Sequence, residues 1–181
     1  MHTRPAMAPL RFGAVIATLA SCAANPPLQV PDVPAALRPP AGQILYLEAL
    51  ATGVQIYDCA ANADGSHAWA FRAPEAALAD RAGRPLGKHY AGPTWESVDG
   101  SSVVGEVKAR DPGPTPSAIP WLLLAAKSNA GSGVFGAAKS VQRVATAGGV
   151  APPSPCTAAT FRQEARVPYS ATYYFYRAAA Y

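Results

Sequence analysis

The sequence predicts an all-β domain, a sandwich or barrel of about eight strands with at most one short helix. Three observations carry that prediction. The apolar stretches are short and are punctuated by Gly, Pro, Asn and Asp. Several alternate with the period of two that a pleated strand imposes. Helical periodicity is scarce. Gly42–Tyr181, 140 of the 181 residues, is enough chain for one domain with its own core, and it contains no internal repeat.

Taken in order, Gln43–Leu50 and Val54–Ala60 flank "ATG" and read as a hairpin. In the second of these, Val54, Ile56 and Asp58 oppose Gln55, Tyr57 and Cys59. "NADG" at Asn62–Gly65 is a turn signal, and "HAWAFR" (His67–Arg72) alternates Trp69 and Phe71 with small or polar neighbours. "PEAALADRAG" (Pro74–Gly83) has proline near its start and glycine at its end, and reads as one short helix or an ordered loop. Trp95–Asp99 and Ser102–Arg110 flank "DGS", a hairpin turn, with Val103, Gly105, Val107 and Ala109 opposing Val104, Glu106, Lys108 and Arg110. "WLLLAA" (Trp121–Ala126) reads as buried on both faces. Lys139–Thr146 alternates weakly through Val141, Arg143 and Ala145. Tyr169–Arg177 is dense in the β-branched and aromatic residues that suit a strand.

Residues 1–21 form three zones of a signal peptide: Arg4 and Arg11 with no acid before Asp32, the nine-residue apolar run Phe12–Ala20, and the small residues Leu19-Ala20-Ser21 before Cys22. The run is too short to span a hydrocarbon layer of ~30 Å. The junction resembles a bacterial lipobox, which implies a lipid on Cys22 and membrane attachment through it. By resemblance to Gram-negative lipoproteins, Ala23 and Ala24 favour the outer membrane, facing the periplasm. The other reading is an ordinary signal peptide cut after Ala24, giving a soluble periplasmic or secreted protein. Residues 22–41 then form a tether with six prolines in Ala23–Ala41, extended at ~3.1 Å per residue to roughly 60 Å.

The chain has 15 Lys+Arg against 11 Asp+Glu, and Arg4 and Arg11 leave with the leader, so thirteen face eleven. No Lys/Arg cluster remains, and nucleic acid is not an expected partner. Cys59 and Cys156 remain as a pair. In an exported chain the expectation is a disulfide closing a 98-residue loop, counting both ends; two buried thiols are the alternative. A loop that long stabilises by up to ~4.7 kcal/mol.

"GKHYAGPTWESVDGSSVVG" (Gly87–Gly105), "IPWLLL" (Ile119–Leu124), "QRVATAGGVAP" (Gln142–Pro152) and "VPYSATYYFY" (Val167–Tyr176) resemble the bacterial and fungal exported proteins of domain of unknown function 3455. The resemblance runs across about Ile44–Tyr176. It implies an exported domain and brings no activity, cofactor or partner.

The densest polar-aromatic stretch is His89, Tyr90, Trp95 and Glu96, followed by Asp99. Gly92-Pro93 turns the chain and brings His89 and Tyr90 beside Trp95 and Glu96. Such a group reads either as a ligand-binding lip, with aromatic faces for sugar rings and carboxylates for hydroxyls, or as core plus rim. In the second reading Trp95 and Tyr90 are core, and Glu96 pairs Lys108 or Arg110. Glu96 and Asp99 as a glycosidase pair would need two carboxylates astride a bond, whereas alternation points them to opposite faces. "GSGVFG" (Gly131–Gly136) formally matches G-x-G-x-x-G, but the next acid is Glu164 and no βαβ pattern surrounds it; it reads as a flexible loop. No G-x-S-x-G, H-x-H or H-x-x-x-H occurs, so no metal and no cofactor are expected. The leading expectation is a lipid-anchored envelope protein that binds a glycan, a small molecule or an envelope partner without catalysis. The alternatives are a periplasmic carbohydrate hydrolase using Glu96 or Asp99, and a structural assembly subunit.

Overall fold

A computed structural model of the protein describes residues 26–180. Eight antiparallel strands follow one another around a closed barrel: β1 (Gln43–Ala61), β2 (His67–Ala79), β3 (Pro85–Tyr90), β4 (Thr94–Ser97), β5 (Ser102–Asp111), β6 (Trp121–Ala130), β7 (Ser140–Gly148) and β8 (Glu164–Ala178). β1 pairs with β8 from Gln43–Ala178 to Asp58–Glu164 and closes the sheet. Short 3₁₀ turns at Ala35–Leu37 and Ala158–Thr160 are the helical elements among the described residues.

Two expectations about β1 and β2 change. "ATG" is not a turn: Leu50–Ala61 runs on unbroken, paired throughout with β2. Gly53 sits where β2 crosses so closely that a Cβ would lie 2.1 Å from the Glu75 carbonyl oxygen, so the glycine serves a close approach. Pro74–Ala79 is strand, not helix. Its Ala76 and Leu78 point into the core between β1 and β3, a period of two that overrides good helix formers. Pro74, which has no N–H to donate, lies beside a register shift at Ile56/Tyr57.

One end of the barrel is packed shut. Trp95, Leu124, Phe135, Tyr173 and Phe175 fill it, with Ala49, Ala51, Ala76 and Ala171 leaving the room those rings need. The indole of Trp95 lies over Gly105, where a Cβ would come within 2.9 Å of it. The loop Gly131–Lys139 folds across this end as a floor. Phe135, fully buried, plugs it. Asp99 accepts from Val134 N at 2.8 Å, Ser101 Oγ accepts from Phe135 N at 3.0 Å, and Asn129 Nδ2 donates to the Phe135 and Ala138 carbonyls. The glycines read as flexible are therefore fixed. At Gly133 any Cβ would collide with the Asp99 carboxylate.

The proline-rich segment is not a free tether throughout. Val33 and Leu37 are buried on the outer wall against Leu123, Val144, Ala109, Trp121 and Tyr174, and Gln142 Nε2 donates to the Leu37 carbonyl at 2.6 Å. That strap explains why "WLLLAA" is buried on both faces: Leu122 and Leu124 point inward while Leu123 lies beneath Leu37. Elsewhere the outer wall carries ion pairs, Glu75–Arg166, Lys88–Glu96 and Glu106–Lys108, which suit water rather than lipid.

Cys59 and Cys156 form a disulfide that pins the β7–β8 connection to β1. Urea unfolding of the Cys59→Ala/Cys156→Ala protein should show a loss of about 2–4 kcal/mol relative to the oxidised chain. Equal stability would mean that the bridge contributes nothing.

Candidate functional site

The opposite end of the barrel is open. It holds a cavity of about 490 Å³ above the aromatic core, framed by the β3–β4 turn and the β5–β6 loop. Phe71, Val107, Ile119 and Leu122 supply apolar wall; Gln55, Tyr57, His89, Arg110 and Arg143 supply polar groups. The size lies within the range of small-molecule sites. A second depression, of about 470 Å³, lies around Gly53 and Gly87 and includes Glu75, Lys88 and Arg166. Each of these charged side chains already has an ion-pair partner.

Arg143 comes from the inward face of β7, between Leu122 of β6 and Tyr173 of β8. Its Nε and Nη2 donate to the Pro120 carbonyl at 3.1 and 2.8 Å, which orients the guanidinium across the cavity wall. Arg110 reaches the same cavity because β5 shifts register between Val107 and Ala109. The shift reverses the alternation read from sequence: Ala109 goes to the outer wall beneath the strap, and Arg110 pairs with the inward-facing Leu122. Among the described residues neither arginine meets a carboxylate, whereas Arg72 at the rim is bound by Asp58 and Glu164.

Gln55 projects inward from β1 with only 2% of its surface exposed, and its Nε2 is buried without a hydrogen-bond partner. The hydroxyls of Tyr169 and Tyr173 are likewise buried without a hydrogen bond of good geometry, with Gln55 and Arg143 as their nearest polar neighbours besides each other. Burial pushes the pKa of both phenols upward, so both keep their protons. Tyr57 Oη donates to the Gly149 carbonyl at 2.7 Å.

The five residues singled out in sequence do not form one lip. His89 lines the cavity, with Nδ1 2.8 Å from the Thr94 carbonyl; that oxygen accepts, so Nδ1 carries the proton and Nε2 is left as an acceptor. Trp95 is core, 1% exposed, and stacks beneath the imidazole with ring centroids 4.5 Å apart. Tyr90 and Glu96 lie together on the outer wall, where Tyr90 Oη donates to Glu96 at 2.7 Å. Lys88, not Lys108 or Arg110, pairs Glu96, at 3.1 Å. Asp99 is at the floor, accepting from Ser101 N and Oγ and from Val134 N. Cys22 lies outside the described residues.

The carboxylates are tuned away from acid catalysis. Hydrogen bonds from Tyr90 and then Lys88 lower the Glu96 pKa, and those from Ser101 and Val134 lower that of Asp99 to about 2. A glycosidase acid needs the opposite shift.

Residues 40–177 match the family described as "Protein of unknown function (DUF3455)". The chain belongs to this family. No curated protein and no solved structure is significantly similar to the chain. Within the family's span, sequence reading reached His89 through its local motif and missed Gln55, Arg110 and Arg143. A usable signal existed for Arg143, an arginine in register with the buried Val141.

Burial lowers the His89 pKa to about 3; the Thr94 carbonyl opposes that shift and the Arg143 charge adds to it. An unfolded chain titrates this ring near 6.5. Between those values the unfolded state holds a proton that the folded state refuses. The contribution is complete above about pH 6.5 and is lost toward pH 3, at up to ~1.4 kcal/mol per pH unit. Urea unfolding of His89→Gln should therefore show a shallower stability loss between about pH 6.5 and 4.5 than the parent chain. An unchanged slope would mean that the ring is not held neutral.

Proposed function

We propose that this protein is an exported, lipid-anchored binding protein that holds a small molecule in the mouth of its barrel, without catalysis. The observation that carries the reading is the cavity of about 490 Å³, open at one end and closed below by packed aromatics. Proteins fill their interiors at crystal-like density. An eight-stranded barrel is just narrow enough to be filled by side chains or to hold one small ligand, and here the lower half is filled and the upper half is not. Export and anchoring rest on the leader that ends just before Cys22, and the Cys59–Cys156 bridge suits an oxidising compartment.

The hydrolase alternative has less support. Glu96 and Asp99 sit on different faces and hold structural hydrogen bonds, and both are shifted toward the ionised form.

Two measurements check the proposal. Titration with the neutral solvatochromic dye N-phenyl-1-naphthylamine should give saturable binding of one dye per barrel. Val107→Trp, which fills the mouth, should weaken that binding at least about tenfold while the far-UV circular dichroism stays that of the parent. Absence of saturable binding, or a folded Val107→Trp protein that binds as before, would sink the proposal. In cells, tritiated palmitate should label the protein and should fail to label Cys22→Ala; label retained in that variant would remove the anchor.

A further inference from the structure

We infer that the ligand is a small organic acid, whose anionic head sits between Arg143, Arg110 and Gln55 while its apolar body lies against Phe71, Val107 and Leu122. The inference rests on the binding role proposed above and adds the chemistry of the ligand.

The polar groups of the cavity are unbalanced. No aspartate or glutamate lines it, and of its three arginines only Arg72 has carboxylate partners among the described residues. Arg143 spends Nε–H and one Nη2–H on the Pro120 carbonyl, which leaves three of its five N–H groups for the neighbouring Tyr173 hydroxyl and for a ligand. Those two bonds hold the guanidinium at a fixed angle, the preorganisation that bidentate recognition of a carboxylate needs. A partly buried cation without a counter-charge is costly, because low-dielectric surroundings disfavour it and one carbonyl offsets only part of the desolvation.

The neighbouring groups add donors. Gln55 Nε2 brings two N–H groups that are buried without a partner. Tyr169 and Tyr173 lie below the cavity and keep their hydroxyl protons in a loose chain of polar contacts from Gln55 through Tyr169 and Tyr173 to Arg143, none of them a hydrogen bond of good geometry. A buried donor left unsatisfied ordinarily loses the hydrogen bonds it had in water, so native structures contain few. Gln55, Arg143 and Arg110 therefore line the cavity with donors and no carboxylate, which matches a group that only accepts, and an ionised acid is such a group. His89 adds no competing charge, since its ring stays neutral, and its Nε2 can accept from a hydroxyl elsewhere on the ligand.

A neutral sugar fits this lining poorly. Its hydroxyls donate as well as accept and ask for acceptors in return, and among the described residues no carboxylate faces the cavity. A polyphosphate would meet only two unpaired arginines, with apolar wall around them. An acid carried on an aromatic or aliphatic body satisfies both halves of the lining, and each source of such a body gives the same head-group chemistry.

The test uses the full chain and matched probes: 2-naphthoate, its neutral counterpart 2-naphthalenemethanol, and decanoate, with N-phenyl-1-naphthylamine as reporter. By calorimetry, 2-naphthoate should bind at least about tenfold more tightly than the alcohol, and added sodium chloride should narrow the gap. Arg143→Met should bring the acid-to-alcohol ratio toward one. Should Arg143→Met fail to fold, Arg110→Gln on the exposed end of β5 should shrink the same ratio. Decanoate binding more tightly than naphthoate would identify the apolar body as an acyl chain, and the reverse as an aromatic ring. Equal affinity for acid and alcohol in the parent chain overturns the inference while leaving the binding role intact. A parent chain that also fails to bind the neutral dye overturns both.

Discussion

The seam between β1 and β8 sets the terms for the rest of the molecule. Backbone pairing along nearly the whole of both strands leaves no free sheet edge and fixes the bore of the barrel. Inward positions must then be filled, or left open, by side chains alone. At the floor they are filled by four large rings, Trp95, Phe135, Tyr173 and Phe175, interleaved with alanines on β1, β2 and β8. The pairing of large rings with small neighbours is visible in single strands: Ala171 lies between Tyr169 and Tyr173 on the inner face of β8.

The same strands change character along their length. β1 carries Ala49 and Ala51 below and Gln55 and Tyr57 above; β7 carries Val141 below and Arg143 above. The lower half therefore behaves as an ordinary core. The upper half accumulates polar groups whose hydrogen bonds are incomplete. Local violations of the usual rules for burial gather where a protein has a task other than folding, and a well-packed region elsewhere offsets them. Here the packed floor, the strap and the disulfide are the parts that can offset an underfilled mouth.

Much of the architecture was legible because alternation and turn chemistry are local. The all-β class, the hairpin at "DGS", the strand at Tyr169–Arg177 and the double-faced burial of "WLLLAA" can all be read from neighbours in sequence, and the Cys59–Cys156 pair from the cysteine count once Cys22 is set aside. What escaped depends on distant chain. Gly53 looked like a turn residue because its reason for being glycine is the approach of Glu75 and Ala76. Pro74–Ala79 looked helical because alanine and leucine suit either element, and only two flanking strands decide between them. Of the site, His89 was within reach. Arg110 was not, since a register shift between Val107 and Ala109 turns it inward. Trp95 and Asp99, close in sequence to His89, have other duties: one packs the core and the other ties down the floor.

The strap also gives the barrel a direction. It begins at the closed end, where the carbonyl of Pro26 accepts a hydrogen bond from Arg81 in the β2–β3 turn, and then crosses the outer wall to bury Val33 and Leu37. Only four peptide units separate Pro26 from Cys22, a reach of at most about 14 Å. A lipid on Cys22 would therefore moor the floor of the cup close to the bilayer, with little slack for it to turn over. Its mouth would look away from the membrane surface, and anything it carries would arrive from, and depart into, the aqueous space beyond.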